Sequence, residues 1–113
     1  MAVTFQVKSG VGVVVVSGAL TSDGVDSFRE QFVGWWQTLP DLRNVVVDLT
    51  GVDFIDSSGL GSLIALLKRI SERGGDMKIA GLQKKVRMVF EITRAFKVFD
   101  IFENADEALH ACE

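Results

Sequence analysis

The sequence predicts a single α/β domain over residues 1–113, with about five strands in a mixed, mostly parallel sheet, an N-terminal antiparallel hairpin and about four helices. Two observations predict it. Valine-rich or alternating apolar runs recur between segments whose apolar residues step by three and four. The length fits one domain, and 48% hydrophobic with 24% charged residues is a globular balance that disfavours disorder.

Val3, Phe5 and Val7 alternate with Thr4, Gln6 and Lys8, the period of a half-buried strand. Ser9-Gly10 then turns the chain into Val11–Ser17, continuously apolar and suited to burial on both faces. Gly18 to Gly24 reads as a loop of turn formers. A helix is expected from about Asp23 to Thr38, with Val25, Phe28, Phe32, one of Trp35 and Trp36, and Leu39 inward. Ser22 or Asp23 is placed to cap it, and Pro40 closes it. Val45–Leu49 is a buried strand, after which Val52–Ile55 leads into Asp56-Ser57-Ser58-Gly59.

Leu60, Leu63, Ile64, Leu67 and Ile70 then mark a helix that Gly74-Gly75 ends. Met77–Ala80 is a short strand and Lys84–Thr93 a helix with Val86, Val89 and Phe90 inward. Val98–Phe102 is the last strand, and Phe96, Phe99 and Phe102 are expected in the core. Asn104 starts a terminal helix that buries Ala105, Ala108, Leu109 and Cys112, with His110 facing solvent.

The reactive inventory is thin: one His, one Cys and no Tyr. A single Cys makes no internal disulfide, and one His with one Cys cannot furnish the usual zinc ligand sets. No metal, cofactor or catalytic residue is expected. No apolar run approaches the ~20 residues of a membrane span, and no signal peptide is evident, so membrane insertion is not expected and the location is expected to be cytoplasmic. Residues 57–99 carry nine basic and three acidic side chains, whereas both flanking segments are acidic. The basic residues come singly or in pairs without interleaved aromatics, which reads as solvated helix faces rather than a nucleic-acid surface.

The segment with most chemistry is Asp56-Ser57-Ser58-Gly59-Leu60-Gly61, where a strand hands over to a helix. Sites in open α/β sheets lie beyond the carboxyl ends of strands, and the free amides of a helix start favour negative charge. The segment lacks the Lys-containing glycine loop of a nucleotide site. Ile55 stands where a hydrolase elbow needs Gly. Two readings remain open: plain helix capping, or hydroxyls that receive a phosphate from an external kinase, with Gly59 and Gly61 leaving it room.

Phe54-Ile55-Asp56-Ser57-Ser58-Gly59-Leu60-Gly61 resembles the signature of the STAS domain, the fold of bacterial anti-sigma factor antagonists. Gly18-Ala19-Leu20, Val45–Leu49, Gly74–Ile79 and Val89–Thr93 follow in the order of that family. The resemblance implies a non-enzymatic switch. Ser57 would be the phosphorylated residue, with Ser58 the alternative acceptor. The unphosphorylated protein would capture an anti-sigma factor that is also a Ser/Thr kinase, freeing a sigma factor. That kinase, with ATP, would switch it off, and a metal-dependent Ser/Thr phosphatase would restore it.

The partner surface implied by the resemblance comprises Thr21, Ser22, Asp23, Asp56, Ser57, Ser58, Gly59, Leu60 and Gly61. Many antagonists read Gly-Glu-Leu/Ile-Asp after the second strand. Here Gly18-Ala19-Leu20-Thr21 lacks both acids, a departure that bears on which partner is recognised. The alternative reading is a STAS docking subunit of a membrane lipid-transport or other transporter assembly. The sequence leaves the oligomeric state open.

Overall fold

The structure is a computed structural model that describes residues 1–112. Its strands are β1 (Ala2–Lys8), β2 (Val11–Leu20), β3 (Val45–Ile55), β4 (Met77–Ala80) and β5 (Asp100–Phe102). The helices are α1 (Val25–Gln37), α2 (Ser57–Glu72), α3 (Lys84–Ile92) and α4 (Ala105–Ala111), with a 3-10 turn at Ala95–Lys97. The sheet order is β1-β2-β3-β4-β5; β1 and β2 are antiparallel and the other pairs parallel.

The hairpin closes through two residues between the paired Lys8 and Val11. Ser9 (φ 52°) and Gly10 (φ 77°) both adopt the left-handed conformation that matches the twist of the flanking strands. Along β3, Val45 and Val47 face a core built with Phe28, Phe32 and Trp36 of α1, Leu63, Leu66 and Ile70 of α2, and Val86 and Phe90 of α3. Val46 points the other way, onto Ala108 of α4. Three helices therefore cover one face of the sheet and α4 covers part of the other, because strand side chains alternate. Trp36 is the buried member of the tryptophan pair. Trp35 is half-buried and stacks on Phe5 of β1 at 5.1 Å between ring centroids.

Several expectations need correction. Gly18–Leu20 is not a loop but the end of β2, and β3 runs through Thr50-Gly51 to Ile55. The pairing register between these strands shifts twice, which absorbs the polar and glycine residues without ending the ladder. The α1 N-cap is Gly24, with no side-chain cap. The Thr21 carbonyl accepts from the Gly24 and Val25 amides instead, so neither Ser22 nor Asp23 caps the helix. The helix gives way at Thr38, two residues before Pro40. The last strand begins only at Asp100. Val98 closes the 3-10 turn, Phe96 is exposed, and of the three phenylalanines only Phe99 is fully buried.

His110 is exposed, as expected, and Asn104 caps α4 by accepting from the Glu107 amide at 2.9 Å. Cys112 is half-buried against the α4 cluster. Burial pushes its thiol pKa up; Lys78 opposes this and Asp76 adds to it.

Candidate functional site

The parallel strands β2 and β3 end side by side, with Leu20 paired to Ile55. The loop after β2 and the start of α2 therefore share the carboxyl edge of the sheet. Asp56 is the single residue between β3 and α2, and its extended backbone makes it the N-cap. One carboxylate oxygen, Oδ1, accepts from the Gly59 amide at 2.9 Å. The other, Oδ2, accepts from the Ser22 amide at 3.3 Å. The Asp56 amide in turn donates to the Leu20 carbonyl at 3.4 Å. One acidic side chain thus holds the helix start and the loop together.

Asp56 takes the capping role, so the two serines are released from it. Ser57 and Ser58 are exposed in the first turn of α2, and neither hydroxyl makes a hydrogen bond among the described residues. Of the residues singled out in the sequence, Ser22, Asp23, Ser57, Ser58 and Gly61 are exposed, and Thr21 and Asp56 are partly exposed. All belong to the adjoining β2–α1 loop and α2 start. Gly59 and Leu60 are buried beneath this surface.

The two glycines differ in role. A Cβ on Gly61 would meet nothing within 4 Å, so this glycine does leave open space. A Cβ on Gly59 would collide with the Leu20 carbonyl and come within 2.8 Å of Ile55 Cγ1. Gly59 serves close packing of α2 on β2, which corrects the expectation that it makes room for an approaching enzyme. Ser62, one turn on and buried, donates to the Gly59 carbonyl at 2.6 Å.

Two residues of this edge were not singled out in the sequence. Phe54 is 52% exposed, because the register shift between Gly18 and Ala19 leaves Val52 and Ile55 inward and Phe54 outward. Its position two residues before Asp56 was the available signal, but the bulge that turns it outward is not legible in a linear pattern. The Met1 side chain lies against Gly24, with Sδ and Cε each 3.4 Å from where a Cβ would stand. It therefore extends the loop surface with an apolar group.

The chemistry available is limited. Among the described residues no cluster of three or more His, Cys, Asp or Glu could hold a metal ion. The only His is on α4, far along the chain from α2 and on the other face of the sheet. Both carboxylate oxygens of Asp56 already accept amide hydrogen bonds. The arrangement presents the exposed hydroxyls of Ser57 and Ser58 on a partly polar surface.

Residues 2–108 match the family model of the STAS domain. The chain is 31% identical over 104 residues to an anti-sigma F factor antagonist of Paenibacillus polymyxa, covering 92% of this chain and 88% of that one. An anti-sigma-factor antagonist (STAS) domain protein of Planctomyces limnophilus superposes with a TM-score of 0.86 at 25% identity, over 97% of each chain. The murine anion transporter Slc26a9 contains a similar region, with a TM-score of 0.82 at 18% identity over 95% of this chain and 18% of that one. That likeness is one of fold. Among the described residues no helix is long and apolar enough to cross a membrane.

Proposed function

The chain belongs to the STAS-domain family of anti-sigma factor antagonists, and from that premise we propose that it is a phosphorylation-controlled binding module whose partner is an anti-sigma factor Ser/Thr kinase. In the unphosphorylated state the surface formed by Thr21–Asp23 and Asp56–Gly61 docks on the kinase and displaces the sigma factor. The kinase transfers the γ-phosphoryl group of ATP to the Ser57 hydroxyl oxygen, giving phosphoserine, ADP and a proton. A metal-dependent phosphatase hydrolyses the ester and restores binding. The module acts in the cytoplasm.

The observation that carries this reading is the division of labour at the start of α2. Asp56 caps the helix, and Ser57 stands exposed with its hydroxyl unengaged. A phosphate there adds ~−1.5 to −2 charge at pH 7. The 16-residue α2 helix turns its positive end toward it, so the fold accepts the group without rearrangement. Asp53 and Asp56 add like charge nearby. A partner that had covered a neutral hydroxyl would have to desolvate a dianion, which is costly. Phosphorylation therefore ends docking by changing the surface rather than the fold.

The test is incubation with the anti-sigma factor kinases of the same genome and ATP, followed by mass spectrometry of the peptide containing residues 57 and 58. Phosphate on Ser57, blocked by Ser57→Ala, is the expected result. Binding of Ser57→Asp to the kinase should be much weaker than that of the unmodified protein. Equal binding would refute the charge mechanism. Absence of phosphate on either serine would refute the switch and leave the transporter-docking reading.

A further inference from the structure

On the far side of α3 lies a second surface that the switch does not use. Ile92 is 78% exposed, and Met88, Phe96 and Val98 are each about half exposed. Met88 and Ile92 stand one turn apart on the outer face of α3, flanked on that face by Lys84 and Lys85. Beside them Leu82, Arg87, Phe90, Glu91, Phe96 and Ile101 line a groove of about 260 Å³. Arg94 and Lys97 lie between the end of α3 and Val98. Residues 84–98 thus carry five basic side chains and one acidic one, around exposed apolar groups, on a chain whose net charge is −3.

This patch shares no residue with the surface around Ser57. The start of α3 follows the carboxyl end of β4, but the helix then runs back toward the amino ends of the parallel strands, where the 3-10 turn precedes β5. Isolated exposed apolar residues are ordinary, but four within residues 88–98, with Phe96 among them lining the groove, mark an interaction site. The basic rim states the charge of the occupant.

We propose that the α3 face and its groove bind an acidic, amphipathic protein segment, whose apolar side chains enter the groove and whose carboxylates meet the surrounding Lys and Arg residues. A groove takes a helix or short peptide through anchors at i, i+3, i+4 and i+7 spacing. An extended polyanion, such as a bilayer or a nucleic acid, would also feel the acidic remainder of the chain. A short segment within a Debye length of about 8 Å feels mainly the patch. A symmetric dimer through this face would set like charges against each other, which disfavours a second copy. The Ser57 state does not alter this surface, so the segment stays bound through the switching cycle.

The probe is a fluorescein-labelled peptide of about 15 residues, with leucines at helical i, i+3, i+4 and i+7 positions and glutamates elsewhere. It is titrated into the full chain, with fluorescence anisotropy for affinity and amide NMR shifts for location. Binding with shifts confined to residues 82–101 is expected. Ile92→Ser and Phe96→Ser, both at exposed positions, should each weaken it about tenfold. Glu91→Gln should tighten it, and Ser57→Asp should leave it unchanged. Failure to bind, equal binding of the lysine counterpart, or shifts at residues 21–23 and 56–58 would overturn the proposal. So would tighter association with phosphatidylglycerol vesicles. None of these outcomes touches the phosphorylation test on Ser57.

Discussion

Gly59 of α2 lies against the Leu20 carbonyl at the end of β2, so closely that any side chain at position 59 would strike that oxygen. This contact sets the height of the Ser57 surface above the sheet. Gly61, two residues on, faces open space. Gly59→Ala should therefore destabilise the protein by about 1–3 kcal/mol through overpacking against rigid backbone. Gly61→Ala should stabilise it by about 0.5–1 kcal/mol, by removing a helix-interior glycine. Urea unfolding of the two variants checks both signs, and similar shifts for the two would refute the assignment.

Asp56 bonds to amides on two different segments, Gly59 and Ser22. Asp56→Ala should lower stability by about 1 kcal/mol, the usual worth of an N-cap, and Asp56→Asn should recover most of it. The loop should also loosen, so the Ser22 amide should exchange its hydrogen faster in the Ala variant. Hydrogen exchange read by NMR separates this from a loss confined to the helix.

Arg73, just after α2, ties the ends of two helices together. Its guanidinium donates to the carbonyls of Leu39 at 2.8 Å, Leu42 at 3.1 Å and Trp36 at 3.2 Å, and lies 3.7 Å over the Trp36 ring. A lysine ammonium cannot reproduce the planar fork or the stacking. Arg73→Lys should cost about 1–2 kcal/mol, with a loss in thermal midpoint that scales accordingly. A neutral substitution would show that the segment after α1 is held by Leu42 packing alone.

Lys78 is buried in β4 and bonds Asp76 at 2.9 Å and Asp100 at 3.1 Å. Burial works against its charge, but the hydrogen bonds and charges of the two carboxylates outweigh burial and raise its pKa above the ordinary 10.5. A raised pKa favours the charged form in the folded state. The resulting stability is fully present below pH 10.5 and is lost as pH rises through the folded value. Unfolding free energies measured across alkaline pH should show the unmodified protein losing stability relative to Lys78→Met above that point, with a constant difference below it. A difference that changes near neutral pH would refute the assignment.

Much of the fold could be read from the chain because two periods are written plainly in it. The alternation in Val3–Val7, the valine runs and the stepping in Leu60–Ile70 each allowed one element type. Asp56-Ser57-Ser58-Gly59 was legible as a strand-to-helix junction for the same reason. The misreadings cluster where tertiary pairing overrides local preference. Thr50-Gly51 and Gly18 look like breaks, but the neighbouring strand supplies the ladder partners that keep them extended. Val98 looks like strand, but β4 offers it no paired partner, since the ladder begins at Asp100.

By itself, the sequence determined the α/β class and the strand-to-helix junction at Asp56, because these depend on residue type and spacing along the chain. Only the tertiary structure decided which residue caps α2, that Gly59 packs inward while Gly61 stands open, and that Phe54, Phe96 and Ile92 face outward. Those outcomes depend on how close another strand or helix comes. That distance is set by the register of segments far apart in the chain, and no local pattern records it.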